Sequence, residues 1–235
     1  MPDMQFATLL GVGFLLGLRH ALDTDHLAAV STVLAERPSL LASGAVGLWW
    51  GVGHTLTLLL VGAVVLAWGV HIPAQFEAIA ESCVAVLLIL LGVTLALRLY
   101  RERWHVHSHH HDGRPHVHFH SHQRQEDHRH RHWMTELIRP LCIGMAHGLA
   151  GSAALMLMIL ATTTDMVAGL LSILVFGIGS IIGMMVIGLT ISVPIIYSRS
   201  VSRRLFIGVQ GVASVASVSV GVWMLVGLTS SAIGQ

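Results

Sequence analysis

Lysine is absent from this 235-residue chain; all thirteen of its cationic side chains are arginines. There is therefore no Gly-x-x-x-x-Gly-Lys phosphate loop, and any ATP-driven step would need a partner protein. Charge of both signs is scarce, at 11% of residues against 54% hydrophobic, which excludes an ordinary soluble domain and indicates an integral membrane protein. Cysteine is nearly absent too. Cys83 and Cys142 stand singly in apolar segments without any Cys-x-x-Cys, so neither a disulfide framework nor a zinc ribbon has support. A His-Glu-x-x-His zinc-peptidase motif is missing. Residues 1–5 are acidic with no basic flank, which argues against a cleaved signal peptide. The arginines are interleaved with histidine rather than arrayed on a recognisable nucleic-acid fold, so no nucleic-acid partner is indicated.

What the chain does have is long apolar runs. Six are expected to span the bilayer, at about 6–34, 41–69, 78–99, 140–162, 167–197 and 205–228, each reaching the roughly 20 residues that a crossing needs. The first, second and fifth are long enough to tilt or break. The expected fold class is an all-α integral membrane protein. Residues 1–99 form a first three-helix repeat, 100–139 a histidine-rich loop, and 140–235 a second three-helix repeat. Arg37, the run from Arg98 to Arg139, and Arg199 to Arg204 all fall in the first, third and fifth connections, while the second and fourth hold no arginine. By the positive-inside rule the histidine-rich loop is cytosolic and both termini are outside, in a bacterial-type plasma (inner) membrane.

One stretch of the first span stands out: Arg19-His20-Ala21-Leu22-Asp23-Thr24-Asp25-His26. Ionisable groups at membrane depth cost roughly 2.5–3.5 kcal/mol each on insertion scales and mark function by default. Neutral imidazole with carboxylate is the ligand set of a borderline divalent metal. On an unbroken helix His20, Asp23 and His26 share one arc of roughly 120°, and Asp25 points to the other side, where it can hold Arg19 or a ligand histidine. A guanidinium has no acceptor, so Arg19 reads as a charge partner or gate rather than a ligand.

His20, four residues, then Asp25-His26, preceded by Arg19 and enclosing Asp23, resembles the signature of the nickel/cobalt transporter family, in its short UreH-like branch. The resemblance implies a permease for a transition metal, usually nickel or cobalt, with the signature helix required for transport. The eight-span layout and second-half Asp/Thr motifs of longer family members are not found here.

The two halves also resemble each other. Gly17-Leu18-Arg19-His20 aligns with Gly144-Met145-Ala146-His147, Gly51-Val52-Gly53-His54 with Gly177-Ile178-Gly179-Ser180, and Leu91-Gly92-Val93-Thr94 with Val220-Gly221-Val222-Trp223. Three spans per half means an inverted 3+3 repeat, with a site near the midplane where the halves meet. His54 and His147 then line that site with His20, Asp23, Asp25 and His26. The second copy carries Ala150, Ser152 and Ala153 where the first has Asp23, Asp25 and His26, so the site is expected to be lopsided.

Between Trp104 and Trp133 lie twelve of the seventeen histidines. His105, His107, His109, His110, His111, His116, His118, His120 and His122 form its densest part, a composition that reads as auxiliary metal binding. With few apolar residues the segment is expected to be largely disordered without metal.

The expected function is transmembrane transport of a divalent transition metal, most simply uptake of Ni2+ or Co2+ as substrate, with no prosthetic group and no enzymatic activity. Efflux through the same architecture, an intramembrane serine hydrolase using Ser152, and a metal-storage or sensor protein are the alternatives. The partners implied are the metal ion and the bilayer, together with a cytosolic metallochaperone or a second copy of the chain.

Overall fold

The computed structural model describes residues 2–36, 39–70, 72–103, 107–111, 114–118, 132–151 and 165–233. Seven helices account for nearly all of them: α1 (Pro2–His20), α2 (Thr24–Glu36), α3 (Leu40–Trp68), α4 (Ala74–Arg103), α5 (His132–Ala150), α6 (Met166–Val201) and α7 (Arg203–Ile233). Four stretches, Leu40–Trp68, Gln75–Arg101, Met166–Val201 and Arg203–Ser230, are long and apolar enough to cross a bilayer. Their outer faces present large apolar side chains such as Leu60, Leu90, Val186 and Val215 to the surroundings, a surface stable only against lipid. The protein is a multi-pass membrane protein.

Two expected spans are built differently. The first is divided: α1 ends at His20, residues 21–23 turn, and α2 begins at Thr24. In the fourth, α5 ends at Ala150, and residues 152–164 lie outside the described set. Apolar stretches Ala7–His20 and Leu137–Ala150 are accordingly shorter than a bilayer crossing. The long second and fifth runs remain single helices, α3 and α6. Gly69, with φ +61°, ends α3 in the left-handed conformation that glycine adopts without a Cβ penalty.

The fold is all-helical as expected, apart from two short strands in the histidine-rich segment. Residues 107–111 (β1) and 114–118 (β2) form an antiparallel hairpin in which His107 faces His118 and His109 faces His116 in register. The physical reason is visible in the sequence. Alternation at period two, as in His116-Val117-His118, suits a strand. His105, His120 and His122 lie outside the described residues.

Helix packing is organised by glycine. α1 runs along α6, α3 along α5 and α6, and α4 along α7. A side chain at Gly17 would overlap the Phe176 carbonyl, and one at Gly144 the Trp50 carbonyl. Gly179 meets Phe14 as Gly53 meets Leu141, and Gly92 meets Ser214 as Gly221 meets Ala85. Without a hydrophobic driving force between helices in lipid, such close backbone approach supplies the association energy. Hydroxyls assist. Ser214 donates to the Gly92 carbonyl and Ser217 to that of Leu88, both at 2.8 Å, and Gln210 donates to Ala35 at 2.7 Å. At one edge Arg139 grips Glu36 through two bonds of 2.7 and 3.0 Å, tying α5 to the end of α2, and Arg98 of α4 stands 3.9 Å away.

These contacts separate two glycine classes. Gly144→Val should destabilise the protein by about 1–3 kcal/mol or prevent folding, because a branched side chain meets backbone rather than a movable side chain. Gly11→Ala, with nothing within 4 Å of the added carbon, should be neutral or stabilising. Thermal unfolding of the purified variants in detergent checks both.

Candidate metal centre

The break in the first span creates the site. Leu22 and Asp23 donate backbone N–H bonds to Arg19 and His20 at 2.8 and 3.1 Å, tightening the last turn of α1, and α2 restarts with a Leu27-to-Asp23 bond of 3.0 Å. Asp23 stands where an N-cap carboxylate would sit. Its Oδ2 instead accepts from His20 Nδ1 at 2.7 Å. With Nδ1 protonated, the His20 Nε2 lone pair is left free. This is how a carboxylate orients a metal-ligating imidazole.

Four imidazoles converge there from four helices. The His20 ring lies 4.8 Å from His26 and 4.9 Å from His54, and His26 lies 5.5 Å from His54 and 5.0 Å from His147. Candidate ligand atoms of His20, His26 and His54 all fall within 4.8 Å of one another, as do those of Asp23, Asp25 and His26. An ion about 2.1 Å from each nitrogen holds its donors roughly 3–4 Å apart, so a small side-chain contraction closes the shell.

His147 is prepared in the same manner as His20. Its Nδ1 meets the Ile143 carbonyl at 2.9 Å; a carbonyl only accepts, so the proton is on Nδ1 and the Nε2 lone pair is free. That nitrogen lies 3.9 Å from Asp25 Oδ2, while Asp25 Oδ1 lies 3.3 Å from His26 Nδ1 without hydrogen-bond alignment. Asp25 thus faces the histidines rather than the opposite side of the helix. The helical-wheel expectation held for an unbroken helix; here the turn at 21–23 re-aims everything after it. No ion pair joins Asp25 to Arg19 among the described residues, and Arg19 is exposed on the last turn of α1.

Burial sharpens the chemistry. His26, His54 and His147 are at most 2% exposed, and both ring nitrogens of His26 and His54, with Nε2 of His147, have no hydrogen-bond partner among the described residues. Buried polar atoms are almost always satisfied, so five imidazole nitrogens in one cluster without a partner among the described residues are candidate donors to a metal ion. Exposure rises towards the helix break, to 21% at His20, 24% at Asp25 and 51% at Asp23. Two aromatic residues that sequence reasoning passed over flank the cluster. Trp50 lies 5.0 Å from His147, and Phe176 lies 5.5 Å from His20. Their signal was positional: each immediately precedes an aligned glycine motif, Gly51 or Gly177.

Residues 27–223 match the family model described as the cytochrome c biogenesis protein transmembrane region. The chain is 34% identical to the urease accessory protein UreH of Bacillus sp. (strain TB-90), over 91% of this chain and 90% of that protein. It belongs to that transmembrane family and to the UreH-like nickel/cobalt transporters. A high-affinity nickel transport protein of Cupriavidus necator is 32% identical over 84 residues, 34% of this chain but 22% of that protein. No solved structure was found to match the chain. The family-model match begins one residue after His26, so α1 and the Arg19–His26 segment lie outside it.

Replacing an orphaned imidazole by an apolar side chain of similar volume removes an unsatisfied buried donor or acceptor. His54→Leu should therefore leave stability unchanged or raise it by up to about 1–3 kcal/mol in metal-free buffer. A marked fall in unfolding temperature, measured in detergent with chelator present, would mean that these nitrogens have partners.

Proposed function

We propose that the protein is a permease that carries Ni2+ or Co2+ across a bacterial-type inner membrane into the cell. The single observation carrying this reading is the cluster of buried His26, His54 and His147 with half-buried His20 and Asp25, whose imidazole nitrogens converge inside a helix bundle. Nickel in the name of the relative from Cupriavidus necator, and the urease accessory role in that of UreH, support the choice of ion.

The ion enters where exposure is greatest, at Asp23, Asp25 and His20, and sheds water as imidazole nitrogens replace it. Two carboxylates match its double charge, which makes residence in a low-dielectric interior tolerable. The C-terminal end of α1 adds its partial negative charge, as half-helix ends do at cation sites in transporters. Asp23 acts on the ion through His20, and Asp25 acts directly. The mixed shell keeps affinity moderate, so the ion can leave.

The bundle is read as an inverted repeat of three spans, 1–99 and 140–235. Matched contacts support this: α1 meets α6 as α3 meets α5, with Gly17 and Gly144 in corresponding places. Rocking of one half against the other then exposes the site alternately. The Glu36 link to Arg139 and Arg98 lies at the arginine-rich end, read as cytosolic, and closes that end in this conformation. The histidine-rich segment receives the ion there and buffers it, and a metallochaperone or a second copy of the chain is a partner for that step.

Uptake of radioactive nickel and cobalt into proteoliposomes tests the reading. Saturable transport should fall at least about 100-fold in His20→Ala, the scale of losing a first ligand, and should survive removal of residues 105–132. Full activity in His20→Ala would overturn it.

A further inference from the structure

We propose that Ser180 is a direct member of the ion site, presenting its hydroxyl oxygen to the ion beside His147. This deepens the transport reading and rests on it. Ser180 is fully buried on α6 and its Oγ has no hydrogen-bond partner among the described residues. A helical serine in lipid ordinarily donates to a carbonyl three or four residues back. Ser172, Ser192 and Ser198 of the same helix do so, to Ala168, Leu189 and Ile195. Ser180 forgoes that bond while sitting at the depth of the histidines.

Its position follows from the matched contacts. Gly17 presses on the Phe176 carbonyl as Gly144 presses on that of Trp50, and Gly179 meets Phe14 as Gly53 meets Leu141. The rings obey the same correspondence, His20 against Phe176 and His147 against Trp50. Within it, the counterpart of His54 is Ser180. His54 stands 4.9 Å from His20, so the equivalent relation sets Ser180 against His147. The Nε2 of His147 is also buried and without a partner among the described residues. Each half therefore contributes a pair, His20 with His54 from the first and His147 with Ser180 from the second. Where an imidazole would bind the ion tightly, the second half offers a weaker neutral oxygen. The exchange moves the shell away from the all-nitrogen set that favours copper and lowers the barrier to release.

The test is nickel uptake by the full chain in proteoliposomes, comparing Ser180→Ala, Ser180→His, Ser172→Ala and His20→Ala. Ser180→Ala should raise KM about tenfold with Vmax within about twofold, the scale of removing one supporting ligand. Ser180→His should lower both KM and Vmax and make uptake more sensitive to Cu2+. Ser172→Ala, whose hydroxyl is spent within its own helix, should match the unaltered protein. An unchanged KM in both Ser180 variants, with His20→Ala inactive, would overturn the proposal and leave the transport reading standing. Undiminished uptake by His20→Ala would instead remove the transport reading on which it rests.

Discussion

Backbone-to-backbone contact at glycine is the constraint from which the rest of this molecule follows. In lipid, apolar side chains gain nothing by leaving their surroundings, so helices hold together through close van der Waals approach and buried hydrogen bonds. Gly17 and Gly144 let α1 and α5 lie directly on α6 and α3. That contact carries His20 and His147, one turn further along each helix, into the interior. Larger residues at those two positions would move both imidazoles outward. The distances that make the cluster a candidate metal centre are thus set by residues that have no side chain.

The cluster itself runs against stability. A break in the first span gives up regular backbone hydrogen bonds in a solvent that replaces none of them, and the buried imidazole nitrogens lack partners among the described residues. Each such group costs about 1–3 kcal/mol. The bundle offsets this elsewhere, through hydroxyl-to-carbonyl bonds between α7 and α4 and through the Glu36–Arg139 link. A protein selected for stability alone would place leucine at position 54. Histidine at this position is what the proposed transport function would require, a function performed by lone pairs.

Much of this was legible in the sequence, and the reasons differ by residue. Arg19 to His26 announced itself because charge at membrane depth is costly. His54 and His147 were reachable because they align with the internal repeat. The family was legible in the same few residues. The direction of Asp25 was conditional in the sequence, because a helical wheel places it on the other side only on an unbroken helix, and the turn at 21–23 changes its direction by an amount no periodicity encodes. The hairpin at 107–118 was missed because composition spoke for disorder, while the period-two alternation spoke for a strand pair. Trp50, Phe176 and Ser180 carry no motif of their own. Only their contacts and burial bring them to notice.

The most direct measurement of the central claim is nickel K-edge X-ray absorption on the purified protein lacking residues 105–132, loaded with one equivalent of Ni2+. The account predicts a shell dominated by imidazole scattering, with three to four nitrogens at about 2.0–2.1 Å and one or two oxygens, and loss of the imidazole signal in a His26→Leu/His54→Leu double variant. A shell of oxygens alone, or one unaltered by the double variant, would contradict it.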